Sequence, residues 1–238
     1  MAPRTLVSRI DSMVICASPK ASCRSVADFA WEVSQHKALR LGKGMQVIVF
    51  RNPLRRLISA YLNKYVEHTR YRDASLALCP DAQLDTFADF VAELDHHGFR
   101  CIDKVHFKPQ RARYRWRSFD RIFDADDLEP LRQFVNALFG TDEQMPFRVA
   151  ANRPKAARDS PGTDRALEAK GDLAPWLLTR ELLREKSERH LLPAYGEFYN
   201  PALEAIARRI YGIDYRFLDQ SLRRGRLDAR LHESLSRL

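Results

Sequence analysis

Apolar residues along the chain fall into a few short runs, separated by longer stretches in which they recur every three or four positions. The run Met13–Ala17 (MVICA) is short and ends in Ser18-Pro19, which predicts a buried strand closed by a turn. From residue 24 to about 41 the pattern turns helical: Val26, Phe29, Ala30 and Val33 share one face, and Gly42 and Gly44 supply a stop. Residues 45–50 (MQVIVF) are the strongest strand. Their nearly continuous β-branched character suits a parallel sheet covered on both faces. Arg51-Asn52-Pro53 closes this strand, with Pro53 fit for a first helical position. Leu54, Leu57, Ile58, Tyr61, Leu62 and Tyr65 continue as a helix. The first third therefore reads strand–helix–strand–helix. Both loops lie at the carboxyl ends of strands, where open α/β sheets bind ligands.

The remainder is sparser. Helices are predicted over 85–94, 175–190 and 199–211. Arg121 to Phe123 reads as a short strand, followed by an acid-rich helix start and a helix ending at Gly140. Residues 150–172 hold few large apolar side chains and read as a loop. From Ser221 the chain carries Arg223, Arg224, Arg226 and Arg230 and reads as a solvated helix or a frayed end. The expected organisation is one α/β domain over residues 1–220 with a basic C-terminal tail over 221–238.

Composition narrows the classes. With 238 residues, 45% hydrophobic and 30% charged, the chain is neither disordered nor fibrous. It has no run near the roughly 18 apolar residues of a membrane helix. Arg9 and Asp11 break the short apolar runs at the start, so no secretory signal is read and a cytoplasmic location is expected. The four cysteines (Cys16, Cys23, Cys79, Cys101) form no CxxC pair. They are read mostly as buried thiols, with no disulfide framework and no metal site. Forty Lys and Arg against 31 Asp and Glu give a formal charge of +9, which favours an anionic partner. The Arg- and Ala-rich usage fits a GC-rich bacterial genome.

Two loops carry candidate chemistry. Pro19-Lys20-Ala21-Ser22-Cys23-Arg24-Ser25 joins a buried strand to a helix, whose first N–H groups and dipole favour an anion. Lys20 adds a mobile charge and Ser25 a hydroxyl donor. The glycines of a Walker A loop are missing. In the second loop, Arg51 stands at a strand end, Ser59 two turns into the next helix, and Arg56 between them. A guanidinium matches phosphate with two parallel hydrogen bonds. Arg55 is read as a charge facing water.

The segment R-N-P-x-x-R-x-x-S-A-Y-x-x-K, residues 51–64, resembles the 3′-phosphate motif of sulfotransferases that use 3′-phosphoadenosine 5′-phosphosulfate (PAPS). Pro19-Lys20-x-x-Cys23-x-Ser25 resembles their 5′-phosphosulfate loop, in the form of the carbohydrate sulfotransferase branch, as a bacterial-type member. Asp103-x-x-His106-Phe107-x-Pro109-Gln110, the segment FDRIF-x-x-x-DL, Pro146 leading to Asn152, and residues 198–218 resemble further family segments. The resemblance spans residues 13–218. Arg24 stands where the family often has threonine, and Asn52 replaces a frequent aspartate. The resemblance implies a three-layer α/β fold like that of P-loop kinases, with a mainly parallel sheet flanked by helices. It implies PAPS as cofactor and a hydroxyl-bearing acceptor, most readily a carbohydrate. Nucleic acid is not the expected partner, and no metal is required. It further implies that Pro19 to Ser25 cradle the 5′-phosphosulfate, that Lys20 neutralises the leaving group, and that Arg51 and Ser59 hold the 3′-phosphate. Asn152, Arg153 and Lys155 either touch the cofactor or lie in a solvated loop.

The acceptor hydroxyl needs a base, and His106 is the first candidate, because an imidazole titrates near neutral pH. The alternative is a structural His106 bonded to Asp103. Glu67, His68, His96 and His97 are rivals, the last two also reading as a helix end. Arg111, Arg113, Arg115 and Arg117 alternate, so in an extended chain they would share one face. That face reads as a protected sheet edge or an anionic acceptor groove, with Tyr114 and Trp116 packed inward. The Trp176, Leu177 and Leu178 cluster reads as core. Competing functions are a nucleotide-dependent phosphotransferase of similar fold and a non-catalytic basic protein that binds nucleotide or nucleic acid.

Overall fold

A computed structural model describes residues 6–10, 12–35, 44–100, 102–144, 179, 182 and 193–236. The elements run β1 (Leu6–Ile10), β2 (Met13–Ala17), α1 (Cys23–Ser34), β3 (Gln46–Phe50), α2 (Pro53–Tyr61), α3 (Thr69–Leu78), α4 (Phe87–His97), α5 (Lys104–Phe107), α6 (Gln110–Arg113), β4 (Arg121–Asp124), α7 (Glu129–Phe139), α8 (Pro201–Ile210), α9 (Gly212–Arg223) and α10 (Ala229–Ser236). A π-helical turn, Leu62–Val66, extends α2, with the Glu67 N–H reaching back to Leu62 O. The chain divides into two compact units. One comprises Met1–Arg56, Pro109–Arg148 and Ile213–Leu238; the other comprises Leu57–Lys108 and Val149–Gly212.

The first unit holds the sheet, in the order β1-β2-β3-β4. β2, β3 and β4 are parallel, in the register Ile15↔Val47 and Ile48↔Ile122, while β1 is antiparallel to β2. The expected mainly parallel α/β sheet is present. Alternation along the strands divides the core in two. Ile15, Ala17, Val47, Val49 and Phe123 pack with Val26, Phe29, Ala30 and Val33 of α1 and Leu131, Val135 and Phe139 of α7. Cys16, Ile48, Phe50 and Ile122 face the other way, against Tyr114, Phe119, Leu218 of α9 and Leu231 of α10. Period-two alternation sends these two sets to opposite faces, so helices cover both and the unit has three layers. Gly140 ends α7 in the left-handed region (φ 65°, ψ 35°), a conformation glycine reaches without a Cβ penalty.

The second unit is built around aromatic side chains. Tyr61, Tyr65, Phe87, Phe90, Phe107 and Phe198 are fully or almost fully buried, with ring centroids 4.7–6.1 Å apart in the contacts among them. Their polar tips are satisfied: Tyr61 Oη meets Thr179 Oγ1 at 2.7 Å and Tyr65 Oη meets Ser75 Oγ at 2.5 Å. Tyr211 likewise donates to Phe107 O at 2.7 Å. Thr86 and Asp89 form a capping box that starts α4, and Asn200 caps α8.

Several expectations are corrected. Strand β1 was not expected. The residues after 109 do not run extended: Gln110–Arg113 is a helical turn, Tyr114 packs inward as expected, and Trp116 stands out, 85% exposed. The tail is not simply solvated, since Leu227 bridges Ile122 of β4 and Leu231 is buried on the sheet. Cys79 is disulfide-bonded rather than a free thiol, whereas Cys16 and Cys23 are free. The described part of the first helix stops at Ser34. The 150–172 loop, Asn152, Arg153, Lys155, Trp176, Leu177 and Leu178 lie outside the described residues.

Candidate functional site

The carboxyl ends of β2, β3 and β4 meet in the first unit. After Ala17 the chain turns sharply, the Ala21 N–H bonding to Ser18 O at 3.0 Å. Two residues that are not glycine occupy positive φ here, Lys20 (66°) and Ser22 (50°). Each costs on the order of 1–2 kcal/mol for an L-residue, so the surroundings must enforce the shape. They do so through the loop's oxygens. Arg56, wholly buried, donates from Nε to Pro19 O (3.0 Å), and Arg51 Nη1 donates to Lys20 O (3.3 Å). Ser22 Oγ donates to Ala125 O at 2.6 Å, so this residue does not cap α1 with its side chain. The loop's carbonyls are thus engaged by the protein. The N–H groups of Cys23, Arg24 and Ser25 open α1, where helix geometry provides no acceptor. Ser25 is buried in that first turn and Arg24 is exposed.

Gln110 joins this loop to the next. Its Oε1 accepts from Ser18 Oγ and from the Arg51 N–H, both at 3.1 Å, and its Nε2 donates to Arg51 O at 2.7 Å. Asp214, fully buried, fixes Gln110 in turn by accepting the N–H groups of Gln110 (3.0 Å) and Arg111 (2.7 Å). Burial pushes the Asp214 carboxyl up to about 6, against those two hydrogen bonds and the charges of Arg56 and Arg111. Asn52 Oδ1 accepts the Leu54 N–H at 3.0 Å and so organises the start of α2.

Arg51 follows β3 and pairs with Asp126 beyond β4, Nη2 to Oδ1 at 2.7 Å. Arg55 lies 3.9 Å from the other oxygen of Asp126 and is only partly exposed, so it does not simply face water. Asp124, buried at the end of β4, is pushed up to about 6 by burial and by the Asp126 charge, with Arg55 and Arg51 opposing. Lys20, Ser22, Arg51, Arg55, Arg56 and the start of α1 thus gather around the ends of three strands. This concentration of cationic and N–H donors suits a multiply charged phosphate ligand. The Asp126 carboxylate already occupies one of the guanidiniums as an internal anion.

The second unit holds the proposed base. Asp103 caps α5, accepting the Val105 N–H at Oδ1 (2.9 Å), while Oδ2 meets His106 Nδ1 at 2.5 Å. Burial works against ionisation of Asp103, but hydrogen bonding and charge from His106, the Val105 N–H and Lys64 prevail. The carboxyl therefore sits below its ordinary value. An ionised carboxylate only accepts, so Nδ1 carries the hydrogen, and Nε2 is the nitrogen that is basic when the imidazole is neutral. The two readings of His106 made from sequence are thereby compatible. The edge of Tyr71 faces the imidazole, ring centroids 6.5 Å apart, and Lys64 Nζ donates to Tyr71 Oη at 3.1 Å. Among the rivals, Glu67 accepts from Asn63 (2.6 Å), His68 is exposed, and His97 lies 3.3 Å from Glu93 at the end of α4. Ser59 is half-buried on α2 beyond the unit boundary, which falls between Arg56 and Leu57.

Sequence reading singled out Lys20, Ser25 and Arg51, which the structure gathers in one unit. It gave no role to Gln110, Asp214 or Asp126. The first two lie in segments that carried the family resemblance, which was the available pointer to them. No curated protein and no solved structure matches the chain. Over residues 20–218, however, it matches the sulfotransferase family, and the protein described by these strand-end loops belongs to that family.

Proposed function

We propose that this sulfotransferase moves the sulfuryl group of PAPS to a hydroxyl of a carbohydrate acceptor. The observation that carries the reading is the strained Ser18–Ser22 turn, locked by arginines through its carbonyls, with Arg51 held beside it. PAPS supplies an activated sulfuryl group on a 5′-phosphate, together with a 3′-phosphate that sets it apart from ATP. In this reading the N–H groups at the start of α1, Lys20 and Ser25 bind the 5′-phosphosulfate. The Lys20 ammonium balances charge on the departing phosphate oxygen as the S–O bond breaks. Arg51 binds the 3′-phosphate with two parallel hydrogen bonds, exchanging Asp126 for the ligand. The motif alone assigns Ser59 to the same phosphate and Asn152 and Arg153 to cofactor contact. The resemblance alone assigns His106 to the acceptor: as base it would take the hydroxyl proton at Nε2 as the new O–S bond forms, with Asp103 holding the ring in the required tautomer. The carbohydrate acceptor is supported by the form of the Lys20 loop. Among the described residues no helix is long and apolar enough to cross a membrane. The Cys79 disulfide favours an oxidising compartment over the cytoplasm expected from sequence.

Calorimetric titration of the wild type and Arg51→Ala with 3′,5′-adenosine diphosphate, 5′-ADP and ATP tests the donor assignment. Preference for the 3′-phosphorylated nucleotide, lost in the variant, supports it. Equal binding of all three, unaffected by the substitution, refutes it and turns attention to phosphotransfer.

A further inference from the structure

The first unit carries a second cationic feature, away from the Lys20 loop. The loop lies at the carboxyl ends of the strands. An open cleft of about 360 Å³ lies beside the segment that leads into β4, where Arg117 Nη1 meets the side chain of Gln46, the first residue of β3, at 3.5 Å. Arg111, Arg115, Trp116, Arg117, Arg224 and Arg226 line it, and no carboxylate does. Elsewhere arginines are commonly neutralised: Arg72 by Asp85, Arg132 by Glu129, Arg208 by Glu204 and Arg209 by Asp95. Among the described residues none of the five cleft arginines lies within ion-pair distance of a carboxylate.

Neutral groups hold Arg111, Arg117 and Arg226 instead. Arg111 donates to Tyr114 O (2.6 Å), Arg117 O (2.8 Å) and Arg115 O (3.1 Å), and its guanidinium stacks 4.7 Å over Phe217. Arg226 donates to Phe119 O at 3.2 Å. Carbonyls orient a guanidinium without cancelling its charge, so the cleft keeps a concentrated positive field. Trp116 beside it is 85% exposed, with the Arg115 guanidinium 4.6 Å from its ring. The indole thus adds a flat aromatic face to a concave cationic surface.

We infer that this cleft binds a sulfated oligosaccharide, separately from the transfer site. The inference rests on the proposed carbohydrate acceptor. The guanidiniums match sulfate oxyanions, and the indole offers a flat apolar face to a pyranose ring. A sulfotransferase generates sulfate esters, so an acceptor chain that already carries sulfate would be retained here while further hydroxyls reach the transfer site. Trp116 is the one exposed aromatic among the residues that line this short cleft, which suits a short oligosaccharide better than the long groove and repeated stacking platforms that track a nucleic-acid strand.

The test titrates the full chain with a size-defined heparin tetrasaccharide, its desulfated counterpart and an oligothymidylate of matched charge. Wild type, Trp116→Ala and the double variant Arg115→Gln/Arg224→Gln are compared. Both arginines are exposed, and 3′,5′-adenosine diphosphate binding reports whether each variant keeps its fold. The expected result is binding of the sulfated tetrasaccharide only, weakened roughly tenfold or more in the double variant. Trp116→Ala weakens it too, and nucleotide affinity is unchanged. Sulfated-tetrasaccharide binding that ignores these substitutions, or oligothymidylate binding of equal strength, overturns the inference. Failure of the wild type to prefer the 3′-phosphorylated nucleotide refutes the donor assignment instead, and is read independently of the tetrasaccharide titration.

Discussion

Arg51 Nη2 and Asp126 Oδ1 lie 2.7 Å apart, so the guanidinium assigned to the 3′-phosphate is held by a carboxylate before any ligand arrives. The pair keeps Arg51 in place and competes with what it is meant to bind. Asp126→Asn removes the competing charge and keeps the side-chain shape. Its expected effect is tighter binding of 3′,5′-adenosine diphosphate, by about fivefold on the scale of partly exposed ion pairs. Calorimetry decides; weaker binding would show that Asp126 mainly orients the guanidinium.

Lys20 combines an unfavourable φ of 66° with the proposed charge-balancing role. Lys20→Gly therefore separates stability from activity. The fold should gain about 1 kcal/mol in urea denaturation as strain is relieved, while turnover falls steeply. Lys20→Ala should lose turnover equally without that gain. A glycine variant no more stable than the alanine variant would contradict the strain argument.

Asp124 gives the stability a pH dependence of known sign. Its carboxyl is pushed up to about 6 in the folded chain by burial, above its value in the unfolded chain. Between about pH 4 and 6 the folded state holds the extra proton, so stability falls as pH rises through that window. Asp124→Asn keeps an oxygen for the Asp126 N–H, which the carboxylate accepts at 2.9 Å. The variant is expected to be more stable than wild type at pH 8 and nearly equal to it at pH 4. Denaturation curves at both values test this, and an unchanged difference would reject it.

His106 and Asp103 predict a graded kinetic pattern. His106→Ala should reduce kcat by about 10²- to 10⁴-fold with nucleotide affinity retained. Asp103→Asn should lose less, because the imidazole survives but its tautomer is no longer fixed. Retained turnover in His106→Ala would remove it from the role of base.

Thiol chemistry checks the cysteines. In the unfolded, unreduced chain, Cys16 and Cys23 should take up an alkylating reagent and Cys79 should do so only after reduction. Peptide mass mapping reads this directly. Alkylation of Cys79 without reductant would contradict the disulfide.

The strands at 13–17 and 46–50 and the helix behind Pro53 were legible because their local pattern coincides with their final burial. Arg51 drew notice through the R-N-P-x-x-R-x-x-S motif, and the structure sets it beside the Lys20 loop, where it also donates to Lys20 O and pairs with Asp126. β1 was not, because its alternation is broken by polar residues such as the exposed Arg9, as befits an outer strand. The Arg111 to Arg117 alternation misled, since helix and extended chain both accommodate such charges. Leu227 and Leu231 were lost among arginines, although they dock the tail together with backbone hydrogen bonds between Ile122 and Arg226 and Asp228. Gln110 bonds to residues 59 and 92 positions away, and no local periodicity announces such a polar link.

That glutamine has a further consequence. Because one amide grips both Ser18 and the backbone of Arg51, the ends of β2 and β3 cannot drift apart independently. In the proposed reading, the Lys20 loop and the Arg51 guanidinium then work as the jaws of a calliper. They gauge the span between two phosphates on one nucleoside, so a single phosphate, however strongly charged, fills one jaw and leaves the other unmet.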